Sequence, residues 1–290
     1  MRSNLPELLA YSPIAIDVST CLIIGVLPAA QSPQPRHWDP ERHRRVFSLA
    51  LQGFVARYGW NRIDRIPMDL LFDLDGTLTN SSPGILRCFA HALNHVGRRG
   101  IDVPVHLAVG PPLYRVFEAL LPVEDIPLIE PAIVAYRERY EAIGIFENSP
   151  YPGVHDALTT LRRKGHQMRV VTMKPEPYAA RVLTHFNLAE FFGGLHAPAL
   201  GDRRYEKADL VASALLGSAS ADAVMIGDQP EDIRAAHANA IRSIAALWGF
   251  GAREELLAAN ADASAVHISD VVSLVATWAC ASPVERFGIW

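Results

Sequence analysis

From Met68 onward, short apolar runs alternate with helical patterns, and this alternation restricts the possible folds more than any other feature of the sequence. The apolar runs predict strands at 69–73, 168–172, 223–227, 243–247 and, more briefly, near 266–268. Helical spacing predicts the helices that separate them, at 154–161, 176–186, 206–216 and 231–239. Strands that alternate with helices predict an α/β fold, a doubly wound parallel sheet with ligands at the carboxyl ends of its strands.

Residues 81–150 interrupt this alternation with helical patterns alone. Ser81 and Pro83 suit the N-cap and first turn of a helix. Its apolar stripe consists of Ile85, Phe89, Leu93 and Val96. After a break at Gly110-Pro111-Pro112, a second stripe consists of Ile133, Tyr136, Tyr140 and Ile143. We therefore predict a core made of 68–80 and 151–290, and an all-helical insertion at 81–150.

The first 67 residues show no regular alternation and carry a proline-rich segment and a basic cluster. We expect this N-terminal extension to be dispensable or an artefact of start-site assignment, because Met68 stands directly before the first strand. The apolar stretch from Pro13 to Ala30 contains Asp17 and lacks the basic flank of a signal peptide. Its uninterrupted part is also too short for a membrane span, so we expect neither export nor membrane insertion.

Composition indicates a globular protein without a nucleic-acid partner. The formal net charge is −4 and the pI is near 6.3, which gives no basic field for phosphate backbones. The three cysteines lie far apart without CxxC spacing, which predicts neither a disulfide framework nor a zinc site. We therefore expect a cytoplasmic protein, a monomer or homodimer, that recognises a small substrate.

Three of the predicted strands end in a polar residue, and these residues mark the expected site. Asp73, Thr172 and Asp228 each follow a largely apolar run. Because the carboxyl ends of parallel strands meet at one edge of the sheet, we expect the three side chains to converge there. Any one of them alone would be read as a strand cap, but three together indicate a site.

The residue types around these strand ends favour phosphoryl chemistry. Asp73 can attack as a nucleophile, and Asp75, two residues on, can protonate a leaving oxygen and then activate water. Two carboxylates repel a phosphate dianion, so a cation is required, and Asp228 with Asp232 offers oxygen ligands that suit Mg²⁺. Lys207 and Lys174 are the candidates to offset charge in the transition state.

Four segments of the sequence resemble, in order, the four motifs of the haloacid dehalogenase superfamily. They are Asp-Leu-Asp-Gly-Thr-Leu-Thr (73–79), Val-Thr-Met-Lys-Pro (171–175), Lys207, and Gly-Asp-Gln-Pro-Glu-Asp (227–232). Two further segments, 109–113 and 247–251, are similar to the phosphoglycolate phosphatase-like and 5′-nucleotidase-like branch. The resemblance implies a Rossmann-like core with the helical insertion as its cap.

The same resemblance implies a role for each matching residue. Asp73 would be nucleophile and Mg²⁺ ligand, and Asp75 acid/base and ligand through its backbone carbonyl. Lys207 would neutralise charge, and Asp228 would bind Mg²⁺, with Asp232 as a further ligand or a partner of one. The residues expected to contact the substrate are Thr172, Met173, Lys174, Gly76 and, in the insertion, Arg115, for which a solvated surface position is equally compatible. Met173 stands where a small polar residue is common.

An acid at position 75 separates reactions within the superfamily, because dehalogenases and phosphonate hydrolases lack it. We therefore predict a Mg²⁺-dependent phosphatase that acts on a small phosphorylated metabolite such as phosphoglycolate or a nucleoside monophosphate. Three alternatives stay open: a phosphomutase, a protein tyrosine kinase, and a regulatory binding protein without activity. The kinase is included because a mycobacterial family member with a similar cap is described as one. The sequence contains no GxxxxGK[ST] loop to support nucleotide binding by a kinase.

Overall fold

The structure, a computed structural model, describes residues 67–201, 205–216, 218 and 222–280. The predicted N-terminal extension lies outside this part of the chain, apart from Pro67. Met68 is fully buried, and its backbone N–H donates to Nδ1 of His166 at 3.2 Å. A chain that began at Met68 would therefore carry its charged amino group at a buried position. Among the residues described, no helix has the length and apolar character needed to cross a bilayer.

Six parallel strands form the central sheet, in the order β5-β4-β1-β6-β7-β8. They are β1 (Asp69–Phe72), β4 (Gln167–Val171), β5 (Leu195–His196), β6 (Ala223–Gly227), β7 (Arg242–Ala246) and β8 (Ala263–Ala265). Strand β1 lies between β4 and β6, and Leu70 is in register with Met168 on one side and Val224 on the other. The carboxyl ends of these three strands therefore lie side by side.

Helices cover both faces of the sheet. The helices of the core are α5 (Val154–Arg163), α6 (Glu176–His185), α7 (Lys207–Leu215), α8 (Pro230–Ala238), α9 (Arg253–Ala258) and α10 (Ile268–Cys280). Leu71 of β1 packs with buried side chains of α7 and α8. Its neighbours Leu70 and Phe72 point the other way and pack in the cluster that contains apolar residues of α5, α6 and α10. The predicted doubly wound α/β fold is confirmed.

The stretch between the first two strands of the sheet is helical. Its α-helices are α1 (Ser82–His95), α2 (Val105–Ala108), α3 (Leu113–Leu120) and α4 (Ile129–Ala142), with 3-10 turns at Val123–Leu128 and Gly144–Phe146. The two segments that lead into and out of these helices, β2 (Thr79–Asn80) and β3 (Ser149–Pro150), pair as a short antiparallel ribbon. Phe89 of α1 packs against Tyr136 of α4, with ring centroids 4.8 Å apart.

Several local expectations differ from the structure. The strand expected near 266–268 lies earlier, at β8, and Val266 is half exposed while Ile268 begins α10. The prediction followed the β-branched residues Val266 and Ile268. The actual strand, Ala263–Ala265, has little β propensity of its own and forms because it pairs with β7. Strand β5 is only two residues long, and no periodicity predicts it. Ile143 lies past the end of α4 and is exposed rather than part of the apolar stripe.

The start of α1 also differs in its capping. Ser81 does stand at the N-cap position, but its side chain makes no capping hydrogen bond, and its buried hydroxyl has no partner among the described residues. The carboxamide oxygen of Asn80 instead accepts from the backbone N–H of Ser82 at 3.3 Å and from its hydroxyl at 2.7 Å. The side chain that satisfies the first turn therefore belongs to the ribbon residue before the expected cap.

Candidate active site

A cavity of about 770 Å³ lies at the carboxyl edge of the sheet, between the strand ends and the inserted helices. The core contributes Asp73, Asp75, Thr172, Met173, Lys174, Lys207 and Asp232 to its wall. The inserted helices contribute Ile85, Tyr114, Ile133, Tyr136, Arg137 and Tyr140. The location agrees with the general rule that ligands of parallel sheets bind where the strands end.

Asp73 follows β1 directly and is almost completely buried. Its Oδ1 lies 2.5 Å from Nζ of Lys207, the first residue of α7. The same ammonium lies 2.7 Å from Oδ1 of Asp232 in the first turn of α8. Burial alone would lower the pKa of Lys207, but the two carboxylates outweigh it and hold the pKa above its ordinary value. Lys207 is therefore charged and bridges two carboxylates.

The buried carboxylates around Lys207 carry more negative charge than its single ammonium can offset. Oxygens of Asp73, Asp228 and Asp232 all lie within 4.8 Å of one another, and all three residues are buried. Burial raises the pKa of Asp73 to about 8, although Lys207 opposes this, and raises the pKa of Asp228 to about 7 with help from Asp232. Buried oxygens with excess negative charge are the donor set that suits a hard divalent cation such as Mg²⁺. The residues present therefore fit the expected metal.

Asp228 is held by hydrogen bonds and by glycine backbone. Its Oδ1 accepts from the hydroxyl of Thr77 at 3.1 Å, and its Oδ2 accepts from the backbone N–H of Phe250 at 2.9 Å. Gly76, with a φ of +92°, packs so closely that a Cβ there would lie 2.2 Å from Oδ2 of Asp228. A Cβ on Gly249 would lie 2.2 Å from Cβ of Asp228. Gly76, which is expected to contact the substrate, lies instead against Asp228 and outside the cavity wall.

Asp75 has a different environment from the other carboxylates. Its Oδ2 lies 2.7 Å from Nζ of Lys174, whereas its Oδ1 is buried without a hydrogen-bond partner among the described residues. The ammonium of Lys174 also lies 5.2 Å from the ring centroid of Tyr140 on α4. Burial tends to lower the pKa of Lys174, but Asp75 and then Tyr140 outweigh it and raise the pKa.

The loop after β4 brings the remaining predicted residues to the cavity. Thr172 is buried, and its Oγ1 accepts from the backbone N–H of Lys174 at 3.2 Å. Met173 lines the cavity and is partly exposed. Arg115, in contrast, is not among the residues of the cavity wall; its side chain is 72% exposed and pairs with Glu118 on the same helix at 2.9 Å.

Sequence reasoning missed several residues of the cavity wall. Tyr136 and Tyr140 were placed in an apolar stripe, and the spacing gives no sign that the stripe faces a cavity as well as a core. Their neighbour Arg137 also lines the cavity. Gly249, which lies behind Asp228 and not in the cavity wall, belongs to the segment 247–251, for which the sequence analysis gives only a resemblance; the Gly-x-Gly sequence shortly after a strand is the available signal for close backbone packing.

Comparison with known proteins agrees with this geometry. The family model described as haloacid dehalogenase-like hydrolase matches residues 70–246. The chain is 39% identical over 190 residues to a tyrosine-protein kinase PtkA of Mycobacterium tuberculosis, and this match covers 64% of each protein. It is 34% identical over 196 residues to a 5′-nucleotidase of Pseudomonas aeruginosa, and this match covers 66% of this chain and 87% of the relative.

A solved structure gives the same result at the level of the fold. A predicted phosphatase from Clostridium acetobutylicum matches with a TM-score of 0.65 and 33% identity, covering 72% of this chain and 98% of that one. The match to the mycobacterial relative spans less than two thirds of that protein's own length. Residues 70–246, which the family model matches, contain the four sequence motifs and the cluster of carboxylates. The chain therefore belongs to the haloacid dehalogenase-like hydrolase family.

Proposed function

We propose that this protein is a Mg²⁺-dependent phosphatase that hydrolyses a small phosphate monoester through an aspartyl-phosphate at Asp73. One observation carries the proposal: two carboxylates two residues apart line the same cavity in different settings. Asp73 is buried between Lys207 and the other acidic residues, whereas one oxygen of Asp75 has no partner within the described ranges. The first setting suits a nucleophile and the second suits a group that exchanges protons with the substrate.

In the first step, an oxygen of Asp73 attacks phosphorus and forms an acyl phosphate bond. The bond between phosphorus and the ester oxygen breaks, and its electron pair stays on the leaving oxygen. Oδ1 of Asp75, when protonated, gives its proton to that oxygen, so the product leaves as a neutral alcohol. Lys207, which touches Asp73, offsets the charge on the phosphoryl group as it transfers.

In the second step, water attacks phosphorus while Asp75 takes its proton. The bond between phosphorus and Asp73 breaks, and inorganic phosphate leaves with Asp73 restored as a carboxylate. Thr172 lies buried at the end of β4, where its hydroxyl can donate to a phosphoryl oxygen. Asp75 ends the cycle protonated again, so no further reactant is needed.

The carboxylates of Asp73, Asp228 and Asp232 would hold the Mg²⁺, with the backbone carbonyl of Asp75 as a further ligand by family resemblance. The bound cation supplies positive charge next to the phosphoryl oxygens. Phe250 and Thr77 fix the orientation of Asp228 by their hydrogen bonds, so this carboxylate is in place before the ion arrives.

The walls of the cavity favour a nucleoside monophosphate over phosphoglycolate as substrate. A cavity of about 770 Å³ is far larger than a two-carbon acid requires. Its wall includes five tyrosines, whose rings can present a face or edge to a flat base: Tyr114, Tyr136, Tyr140, Tyr178 and Tyr205. Arg137 can pair with polar atoms of the base or sugar.

Phosphate release on a panel of metabolites tests the proposed function. The panel contains nucleoside monophosphates, phosphoglycolate and sugar phosphates, each with Mg²⁺ and with a chelator. We expect release with Mg²⁺ and a loss of roughly 1000-fold or more in Asp73→Asn, because the nucleophile is removed and its shape is kept. Equal release by wild type and Asp73→Asn would reject Asp73 as the nucleophile.

The kinase alternative is favoured by one observation, the 39% identity to a relative described as a tyrosine-protein kinase. A kinase would move the terminal phosphoryl group of ATP to a tyrosine of a protein and release little free phosphate. Incubation with labelled ATP and a tyrosine-containing protein distinguishes the two activities. We expect no label on the protein; label that accumulates on tyrosine would favour the kinase.

A further inference from the structure

The contact between Lys174 and Asp75 has features that a surface ion pair lacks. The two charged atoms lie 2.7 Å apart, and the side chains are 6% and 16% exposed. The lysine is anchored on both sides: its backbone N–H donates to Thr172, and its ammonium lies against the ring of Tyr140. Tyr140 in turn packs edge-on against Tyr178 of α6, with centroids 5.3 Å apart.

This pair uses only one of the two oxygens of Asp75. Oδ2 accepts from Lys174, and Oδ1 is buried and finds no partner in the part of the chain that the structure describes, while the residue lines the cavity. A buried carboxylate oxygen without a hydrogen bond is costly unless a ligand satisfies it. Fixing one oxygen also removes the rotation that would exchange the two. The geometry therefore leaves a single, oriented oxygen for the substrate.

Lysine is rare in this protein, which makes its positions informative. The sequence contains three lysines, Lys164, Lys174 and Lys207, against a majority of arginines among its basic residues. Two of the three line the cavity, and each contacts one of the paired aspartates, Asp73 or Asp75. The two lysines at the cavity therefore serve different aspartates, Lys207 the carboxylate of Asp73 and Lys174 that of Asp75.

Building on the proposed function, we propose that Lys174 is a positioning residue that holds Oδ2 of Asp75 and so aims Oδ1 at the ester oxygen. The ring of Tyr140 lies against the ammonium of Lys174 and packs on Tyr178, so proton transfer depends on α4 being packed over the core. From the sequence, Lys174 is expected to contact the substrate or to offset charge on the phosphoryl group in the transition state. The structure pairs it instead with the residue that handles protons, while Lys207 contacts Asp73.

Leaving-group dependence provides a readout that a purely structural ion pair would not change. The leaving group of p-nitrophenyl phosphate departs as an anion and needs no proton, whereas that of phenyl phosphate or an alkyl ester does. In Lys174→Met, we expect kcat/KM to fall about 100-fold on phenyl phosphate and on the best ester of the metabolite panel, because the acid is misplaced. On p-nitrophenyl phosphate the fall should be less than about 10-fold.

Two further variants keep the test decisive. Lys164→Met makes the same substitution at the end of α5, outside the cavity, and should leave kcat/KM within about twofold of wild type on every substrate. Lys174→Arg keeps a cation at the position and should recover at least part of the loss on phenyl phosphate. Circular dichroism shows whether Lys174→Met folds. If it does not, the test uses folded Lys174→Arg, whose leaving-group dependence should resemble that of wild type.

The outcomes separate this inference from the proposed function. Wild type that releases phosphate from none of the substrates would reject the proposed function itself. Active wild type with an equal fall on phenyl and p-nitrophenyl phosphate in folded Lys174→Met would reject the positioning role and leave the phosphatase intact. A change of leaving-group dependence in folded Lys174→Arg as large as that expected for methionine would likewise overturn the inference.

Discussion

At the scale of single residues, the site is a balance between buried carboxylates and two lysines. Asp73 and Asp232 share Lys207, Asp75 has Lys174, and Asp228 is held by neutral donors. Burial of a charge without a partner is expensive, and the raised pKa values of Asp73 and Asp228 express that cost. This imbalance suits the cation that we propose for the site and leads to two predictions.

The first prediction concerns pH and the metal-free protein. The folded-state pKa values of Asp73 and Asp228 are raised to about 8 and about 7, so folding favours their protonated forms. The stability from this source is fully present below the unfolded-state pKa near 4 and is lost as pH rises through 7 and 8. Thermal melts without metal should therefore show a melting temperature several degrees lower at about pH 8.5 than at about pH 6.

Mg²⁺ should reverse this trend, since the cation replaces the protons. The rise in melting temperature on adding Mg²⁺ should be larger at the higher pH. Asp228→Asn, which keeps the shape and removes one charge, should weaken both the pH dependence and the response to Mg²⁺. A metal-free melting temperature that rises steadily between pH 6 and 8.5 would contradict this description of the site.

The second prediction concerns the glycine backbone behind Asp228. In Gly249→Ala, the new Cβ would lie 2.2 Å from Cβ of Asp228 and 2.5 Å from the carbonyl oxygen of Gly76. Because backbone cannot easily move away, we expect a loss of about 1–3 kcal/mol in the free energy of unfolding and weaker Mg²⁺ binding. Denaturant titration and calorimetric titration with Mg²⁺ measure the two effects.

Gly193→Ala is the matched control for Gly249→Ala. The nearest atom to a Cβ at Gly193 is a carbonyl oxygen at 3.9 Å, which is an ordinary contact. Neither residue has the positive φ that would strain an alanine. Gly193→Ala should therefore unfold within about 0.5 kcal/mol of wild type. Similar behaviour of the two variants would mean that close packing at Gly249 does not matter.

At the scale of elements, the two-strand ribbon sets where the inserted helices begin. Asn80 pairs with Ser149 in the ribbon and also satisfies the first turn of α1. We expect Asn80→Ala to cost about 1 kcal/mol in the free energy of unfolding, as the loss of a capping side chain does. Ser81→Ala should cost less, because it removes a buried hydroxyl that has no partner among the described residues. Chemical denaturation of both variants measures the difference, and a larger cost for Ser81→Ala would refute it.

Prediction of elements from the sequence succeeded where length and periodicity were sufficient and failed where pairing decides. The apolar runs of β1, β4, β6 and β7 are visible within one residue of their bounds. Strand β5, the ribbon β2–β3 and the alanine-rich β8 exist because a neighbouring strand supplies hydrogen-bond partners. That information is not contained in a short local window.

At the scale of the whole molecule, the order of the strands brings the site together. Because β1 lies between β4 and β6, polar residues that are 56 to 155 positions apart in the chain become neighbours. The convergence of Asp73, Thr172 and Asp228 on one edge could therefore be expected from the sequence. The cavity wall formed by the inserted helices could not be expected from the sequence, because it depends on how α4 packs. An apolar stripe does not show which of its residues face a cavity.

The central claim is that the phosphoryl group passes through Asp73, and identification of the phosphorylated residue tests it most directly. The enzyme is mixed with Mg²⁺ and its best substrate, quenched with acid during turnover, and treated with borohydride, which reduces an acyl phosphate to an alcohol. Mass spectrometry then locates the reduced residue. The proposed mechanism predicts homoserine at position 73 in wild type and no such product in Asp73→Asn. Reduction at another carboxylate, with position 73 unchanged during active turnover, would contradict it.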